Sequence, residues 1–436
     1  MTLLIQNISY LVVNSGTVLK DVDLLIENGR ISSFGKDLHV PEDAEVVDGR
    51  GQAIMPGFVN AHTHLWQMTI KGRRDDLPLS TWCDEVLTPT INALYAEEDP
   101  AVRERRSYLW TALGICDMLH SGVTAFVDMD LNYRQDGMFK AAEDAGIRGF
   151  FGIELADYFM DGSINSDALE VVRLLTDHPG QCVLTPSELN ICTDDTLSFV
   201  AEAAKGHNLH VQIHVDETAA EAKQAITQRG AAELLYLDNF GLLDGSFSAV
   251  HGIHLSKKEI ELAAKKDITV VYNPKSNMKL GSGVCPVREL LDAGINVALA
   301  TDGPASNDIL DMFEEMRMGA MLQKVSAKDA SVILAKDVFD MATAGGAHML
   351  NLDAGSLEAG RYADFIVIPM DKPNLISDGS DMISTIVYCA QSRDVKDVYI
   401  GGKPVVKDYN IVNLDEAALT AEFMAHMSAI KEVINV

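Results

Sequence analysis

The residue types and spacings best suited to chemistry belong to four histidines, an aspartate and a glutamate: His62, His64, His214, His251, Asp302 and Glu217. His62 and His64 flank Thr63 at the end of the apolar run FVNAHTHL. In an extended chain that i, i+2 spacing points both imidazoles the same way, which is a geometry for gripping one metal ion. His214 closes the run LHVQIHVDE, and Asp302 follows VALAT. Three neutral imidazoles and one carboxylate form a borderline-hard donor set for a single divalent cation, Zn2+ or Fe2+, with one position left for water. The expected metal ligands are therefore His62, His64, His214 and Asp302. An ion of this kind brings the pKa of its water toward ~7 and so provides a hydroxide nucleophile at neutral pH.

Attack on a carbon that bears an amino group needs a proton delivered to the neighbouring ring nitrogen, and later one for the departing amine, so that ammonia leaves. Glu217, three residues after His214, is expected to be that proton shuttle. His251, at the end of the run FSAVHGIHL, is expected to orient the water, while His254 is assigned no role. The second carboxylate oxygen of Asp302 is expected to be free and to take the water's proton, which makes Glu217, His251 and Asp302 the catalytic set.

These side chains need a scaffold that brings distant segments to one face. Eight short, continuously apolar runs suit buried parallel strands: FVNAHTHL, TAFVDMD, RGFFGIEL, CVLTPSEL, LHVQIHVDE, FSAVHGIHL, TVVYNPKS and NVALATDG. Amphipathic helical stretches fall between them, among them VRERRSYLWTALGICDMLHSG and KKEIELAAKK. The natural closure is an α/β fold, a (β/α)8 TIM barrel, whose active site lies at the C-terminal ends of its strands. Each candidate residue sits at or near such an end.

The two ends of the chain read differently, as short strands with turns. ENGR and DGRG are hairpin signals, and a Gly-Gly turn joins β-rich runs in VKDVYIGGKPVV, next to ADFIVIPM and ISTIVYCA. The expected organisation is a β-sandwich from 1–55 and 358–412, a barrel over 56–357 and a C-terminal helix over 413–436. A net charge of −29, from 35 basic and 64 acidic residues, repels phosphate backbones and anionic lipid and argues against nucleic-acid and membrane partners. No apolar run approaches bilayer length, and six cysteines without C-x-x-C pairing fit reduced thiols, so a cytoplasmic location is expected.

Taken together, PGFVNAHTH, QIHVDET, AVHGIHLS, YNPKSNMKLGSGVCPV, LATDGPASND and EAGRYADFIVI resemble the amidohydrolase superfamily over almost the whole chain. Within it they are similar to the deaminases of S-adenosylhomocysteine and 5-methylthioadenosine and to their chlorohydrolase relatives. The resemblance implies one catalytic metal on His62, His64, His214 and Asp302, with Glu217 as shuttle and His251 as the water-orienting residue. It also implies a small heterocyclic substrate and a homo-oligomer. A mononuclear site follows from CVLTPSEL, which lacks the bridging lysine of two-metal branches.

On the substrate side, Trp82 matches the aromatic that covers the base in such relatives, or is a helix core residue. Thr90 or Ile91 stands where a ribose-gripping glutamate is expected, Ser187 where a histidine is expected, and Ile153 and Glu154 where an arginine is expected. Glu154 and Glu188 either line the pocket or are solvated loop carboxylates. An adenosine derivative is the expected substrate; a free base, pterin or triazine, or a C–Cl or amide bond cleaved in the same pocket, are the alternatives.

Overall fold

In the computed structural model, which describes residues 2–130, 136–157 and 168–434, the eight apolar runs form eight parallel strands. They are β1 (Phe58–Thr63), β2 (Val123–Met129), β3 (Arg148–Glu154), β4 (Cys182–Thr185), β5 (Val211–Val215), β6 (Phe247–His251), β7 (Thr269–Tyr272) and β8 (Val297–Leu299). Each pairs with its sequence neighbour, in order. The seam between β8 and β1 is closed differently, by side chains and strand ends. Asn60 Nδ2 donates to Thr301 Oγ1 (2.8 Å), and Asn60 Oδ1 accepts from the Thr301 N–H (3.0 Å). One step further along, the Asp302 N–H donates to His62 O (3.1 Å) and Thr63 Oγ1 donates to Asp302 O (3.0 Å).

Small and β-branched residues fill the barrel: Ala61, Val127, Val183, Val250, Val271, Ala298 and Ala300 pack with Met349 in one buried cluster, and Val59 with Ala125 in another below it. The interior is thus a packed floor on which a site can rest, and not a pore. Strict alternation after Val59 and Ala61 would turn His62 and His64 outward. The pairing of β1 with β2 shifts between Asn60 and Thr63, where three steps on β1 match two on β2. This one-residue bulge reverses the alternation and turns both imidazoles inward.

The connection after β5 shows how locally each strand end is made. Thr218 caps the helix Ala219–Arg229 through the Glu221 N–H, and Glu221 returns a bond from the Thr218 N–H, forming a capping box. Glu217 therefore lies one residue before a rigid helix start.

The chain ends form two sheets packed over a core that includes Leu3, Ile5, Leu24, Ile26, Ile54, Phe365 and Tyr399. The ENGR turn is a hairpin between Val22–Glu27 and Arg30–Gly35, with Asn28 (φ 52°) and Gly29 (φ 76°) both left-handed. Gly401 (φ 57°) and Gly402 (φ 73°) do the same between Asp397–Ile400 and Lys403–Lys407.

Two sequence expectations are corrected. DGRG is not a hairpin: Glu45–Asp48 pairs parallel with Thr2–Ile8 in one sheet, whereas Gln52–Pro56 joins the other. The turn carries the chain between sheets, with the Gly49 N–H donating to Gln6 O (2.7 Å). ISTIVYCA is no strand but lies in the helix Met382–Cys389, capped by Asp381 through the Ser384 N–H (2.9 Å). A short run apolar on all sides reads alike as a buried strand or a buried helix, and here the cap and the flanking helices Ala335–Asp340 and Met312–Ala327 decide.

The C-terminal helix spans Glu416–Ile434; residues 435–436 of the expected helix lie outside the described residues. No helix among the described residues is long and apolar enough to cross a membrane.

The seam yields a prediction. Asn60→Ala leaves the buried Thr301 N–H without its acceptor, at a cost of about 2–3 kcal/mol. Urea titration is expected to show a lower midpoint with an unchanged slope; an unchanged midpoint would remove Asn60 from barrel closure.

Candidate metal centre and active site

At the C-terminal mouth of the barrel, the ring nitrogens of His62, His64 and His214 lie within 4.8 Å of one another. What each ring does with its far nitrogen sets what it offers at the centre. His62 Nδ1 donates to Gln212 Oε1 (2.8 Å), His64 Nδ1 to Met129 O (2.7 Å) and His214 Nδ1 to Ser187 O (2.9 Å). Two of these partners are carbonyls, which only accept. The third is an amide oxygen whose nitrogen is engaged with Ala61 O (3.0 Å) and Ser248 Oγ (3.1 Å).

Each neutral ring therefore carries its proton on Nδ1 and aims an Nε2 lone pair inward. His62 Nε2 and His64 Nε2 are only 3.1 Å apart, and Asp302 Oδ1 is 3.5 Å from the first and 3.4 Å from the second. Lone pairs and a carboxylate facing each other at this range fit a cation between them.

The electrostatics agree with that fit. Burial and the neighbouring His62 push His64 down to about 4, and burial takes His214 well below the ordinary histidine value. Burial works to raise Asp302, but its bond with His62 and the nearby His64 and His251 outweigh this and hold it well below the ordinary carboxylate range. His64 and His214 are thus neutral beside an ionised carboxylate, the state in which such groups bind a divalent metal.

Beside this cluster, Glu217 Oε2 is 3.3 Å from His251 Nε2, which is 4.0 Å from Asp302 Oδ2. Burial raises Glu217 to about 7, against the lowering effect of His251. His251 is raised: burial lowers it, but Glu217 and Asp302 more than compensate. The expectation that the second oxygen of Asp302 is free is corrected, because Oδ2 accepts from Ser276 Oγ at 2.6 Å. Ser187 (φ 48°), Asp216 (φ 48°), His251 (φ 70°) and Asp302 (φ 62°) are all left-handed at strand ends, a strained backbone that the surrounding bonds hold in place. At Gly303, next to Asp302, the backbone lies so near Gln67 that an added Cβ would be 1.9 Å from Gln67 Oε1.

These groups open into a cavity of about 810 Å3, within the range of small-molecule sites. Trp82, Glu154, Ser187 and Glu188 all line it. Trp82 is packed in the main apolar cluster, as a helix core residue would be, and also forms cavity wall. Its buried Nε1–H has no hydrogen-bond partner among the described residues, so an acceptor on a ligand would satisfy it. Burial, then Glu221 and Glu217, push Glu188 up to about 7. The described lining contains Asp84, Asp130, Glu154, Glu188, Asp216, Glu217, Glu221, Glu233 and Asp302 but neither Lys nor Arg.

Residues 53–405 match the amidohydrolase family. The chain belongs to the amidohydrolase family. It is 38% identical over 413 residues to a 5-methylthioadenosine/S-adenosylhomocysteine deaminase of Thermococcus sibiricus, covering 93% of this chain and 94% of the relative. It is 33% identical over 404 residues to a 5'-deoxyadenosine deaminase of Methanosphaera stadtmanae, covering 91% and 92%. Among solved structures it is similar to a zinc-bound adenosine deaminase from Xanthomonas campestris, with a TM-score of 0.89, 30% identity and coverage of 99% of this chain and 98% of the other.

Sequence reasoning about this amidohydrolase missed the residues that orient the others. Gln212 carried a signal, as a polar residue two positions before His214 in an otherwise apolar strand. Ser276, Asn277 and Ser282 lie in the NPKSNMKLGSG stretch, which was conspicuous without an assigned task.

His214→Ala is expected to abolish stoichiometric metal, measured by elemental analysis of the purified protein; metal retained at one per chain would remove His214 from the ligand set. In the unsubstituted amidohydrolase, protons compete with the metal for His64 only at low pH, because burial and the neighbouring His62 push it down to about 4. Dialysis at pH about 5.5, where an ordinary imidazole near 6.5 is mostly protonated, is expected to leave the metal in place, and dialysis below about pH 4 to remove it.

Proposed function

We propose that this amidohydrolase is a metal-dependent deaminase that replaces the amino group of an N-heterocycle by oxygen and releases ammonia, with an adenosine derivative as substrate. The observation that carries the reading is the contact of Glu217 Oε2 with His251 Nε2 at 3.3 Å, beside three inward Nε2 lone pairs and an ionised Asp302. The relatives named as deaminases of adenosine derivatives support it.

His62, His64, His214 and Asp302 would hold one divalent cation, and we propose zinc, on the donor set and on the zinc in the Xanthomonas relative. Bound there, the cation supplies Lewis acidity that brings the pKa of water from 15.7 toward about 7. The rest falls to the side chains. Water adds across the C=N bond that carries the amino group, its oxygen going to carbon and a proton to the ring nitrogen. Glu217, raised to about 7, is protonated often enough near neutral pH to give that proton and ionised often enough to recover one. His251, its Nδ1–H fixed on Asn277 Oδ1 (2.8 Å), presents Nε2 to the same space and stabilises the proton in transit. The recovered proton goes to the amine, so the C–N bond breaks with NH3 as leaving group and the ring carbonyl remains.

Trp82 offers an apolar face and a free indole N–H to a flat ring, while Glu154 and Glu188 accept from its donors. Within the class, the acidic lining favours neutral or cationic substrates over phosphorylated ones.

Ammonia release from a panel of aminated purine nucleosides, free purines, pterins and triazines tests the reading, and adenosine derivatives without phosphate are expected to be turned over best. Glu217→Gln is expected to keep the metal and lose about 10²- to 10⁴-fold in rate, the usual contribution of general acid–base catalysis. Near-normal ammonia release by that variant would remove Glu217 from the proton path.

A further inference from the structure

The segment after β7 touches every reacting group beside the three imidazoles. Ser276 Oγ donates to Asp302 Oδ2 (2.6 Å), Asn277 Oδ1 accepts from His251 Nδ1 (2.8 Å), and Ser282 Oγ donates to Glu217 Oε1 (2.8 Å). In His251 and Glu217 the outer atom is taken and the inner atom is left facing the site, whereas both oxygens of Asp302 are engaged, Oδ1 also accepting from the Gly303 N–H (2.7 Å). Asp302 keeps Oδ1 for the imidazole cluster, His251 keeps Nε2, and Glu217 keeps Oε2.

Of the three, Ser282 is the one bonded to the carboxyl that would carry a mobile proton. A hydroxyl that donates to Oε1 leaves that oxygen as an acceptor, so the proton of a protonated Glu217 sits on Oε2, the oxygen next to His251. Ser282 is itself held firmly. Its N–H donates to Asn277 O (3.0 Å) and its carbonyl accepts from His254 Nε2 (3.1 Å). Gly281 (φ 67°) and Gly283 (φ 138°) flank it in backbone conformations that side chains rarely adopt. At Gly283 a Cβ would also lie 2.8 Å from Ile253 Cγ2. The G-S-G geometry thus sets one buried hydroxyl against one carboxylate oxygen.

We propose that Ser282 is a positioning residue for the reaction: by occupying Oε1 of Glu217 it fixes the carboxyl rotamer and assigns the transferable proton to Oε2. This rests on the deaminase reading above and adds a residue to it. Ser282 acts through Glu217, so its effect should belong to the chemical step and vanish when Glu217 can no longer shuttle protons.

The test is a double-mutant cycle on the zinc-loaded protein, with 5'-deoxyadenosine as the probe and ammonia release as the readout. Ser282→Ala is expected to lower kcat about 10- to 100-fold with KM within about threefold, a fraction of the effect of the whole acid–base group. Metal content and thermal midpoint should match the unsubstituted protein, and Ser282→Thr, which keeps the hydroxyl, should recover most of kcat. In a Glu217→Gln background, Ser282→Ala should cost less than about threefold more, because the two residues act as a unit. Equal losses in both backgrounds, a raised KM with unchanged kcat, or an unchanged rate would each overturn the proposal. Failure of the unsubstituted, zinc-loaded protein to release ammonia from any aminated heterocycle sinks the deaminase reading and this proposal together. Turnover with an indifferent Ser282→Ala sinks this proposal alone.

Discussion

Three Nε2 lone pairs facing one another across a few ångströms constrain everything around them. The arrangement suits a cation, and each ring keeps its orientation because its opposite edge is tied to an acceptor: Gln212 Oε1 for His62, Met129 O for His64 and Ser187 O for His214. Those acceptors come from β5, from the end of β2 and from the turn after β4. The centre thus depends on the relative placement of four strands, and a shift of any one would release a ring to change tautomer. Left-handed backbone at Ser187 follows from the same demand, since its carbonyl must point at an imidazole from a strand end.

The barrel seam and the metal centre are one construction. Asn60 and Thr301 close β1 against β8 through two side-chain bonds, and the next bond along the seam joins the Asp302 N–H to the carbonyl of His62, a member of the imidazole cluster. Closing the barrel and bringing the carboxylate to the histidines are therefore the same act. The small interior residues beneath, from Val59 to Ala300, supply a dense floor that cannot collapse under the site.

The cavity above joins two electrostatic regimes. At the centre, burial keeps His64 and His214 neutral, while the bond with His62 and the nearby His64 and His251 keep Asp302 ionised against its own burial; around it, burial and mutual repulsion raise carboxyls, with Glu217 and Glu188 both near 7. Groups poised near neutrality exchange protons cheaply, which suits a reaction that needs a proton at the ring nitrogen and then at the amine. Bonds from Ser276, Asn277 and Ser282 decide which atom of each group takes part.

The sequence by itself determined the candidate groups for the chemistry and the scaffold class. His62-Thr63-His64, His214, His251, Asp302 and Glu217 are legible because each ends an apolar run, and eight such runs separated by helical stretches close as a barrel with those ends on one face. The Asn28-Gly29 hairpin is legible too, because its chemistry is local.

Only the tertiary structure decided what depends on contacts between distant segments. The bulge between Asn60 and Thr63 leaves no mark in composition, and the Met382–Cys389 helix reads as a strand until its cap and packing partners are present. DGRG looks like a hairpin because a turn signal reports a reversal but not which sheet receives the next strand. The tautomers of the histidines, the occupied second oxygen of Asp302 and the bond from Ser282 to Glu217 were likewise invisible. Each joins residues dozens to hundreds of positions apart, and a hydrogen bond is fixed by distance in space, which local sequence pattern does not encode.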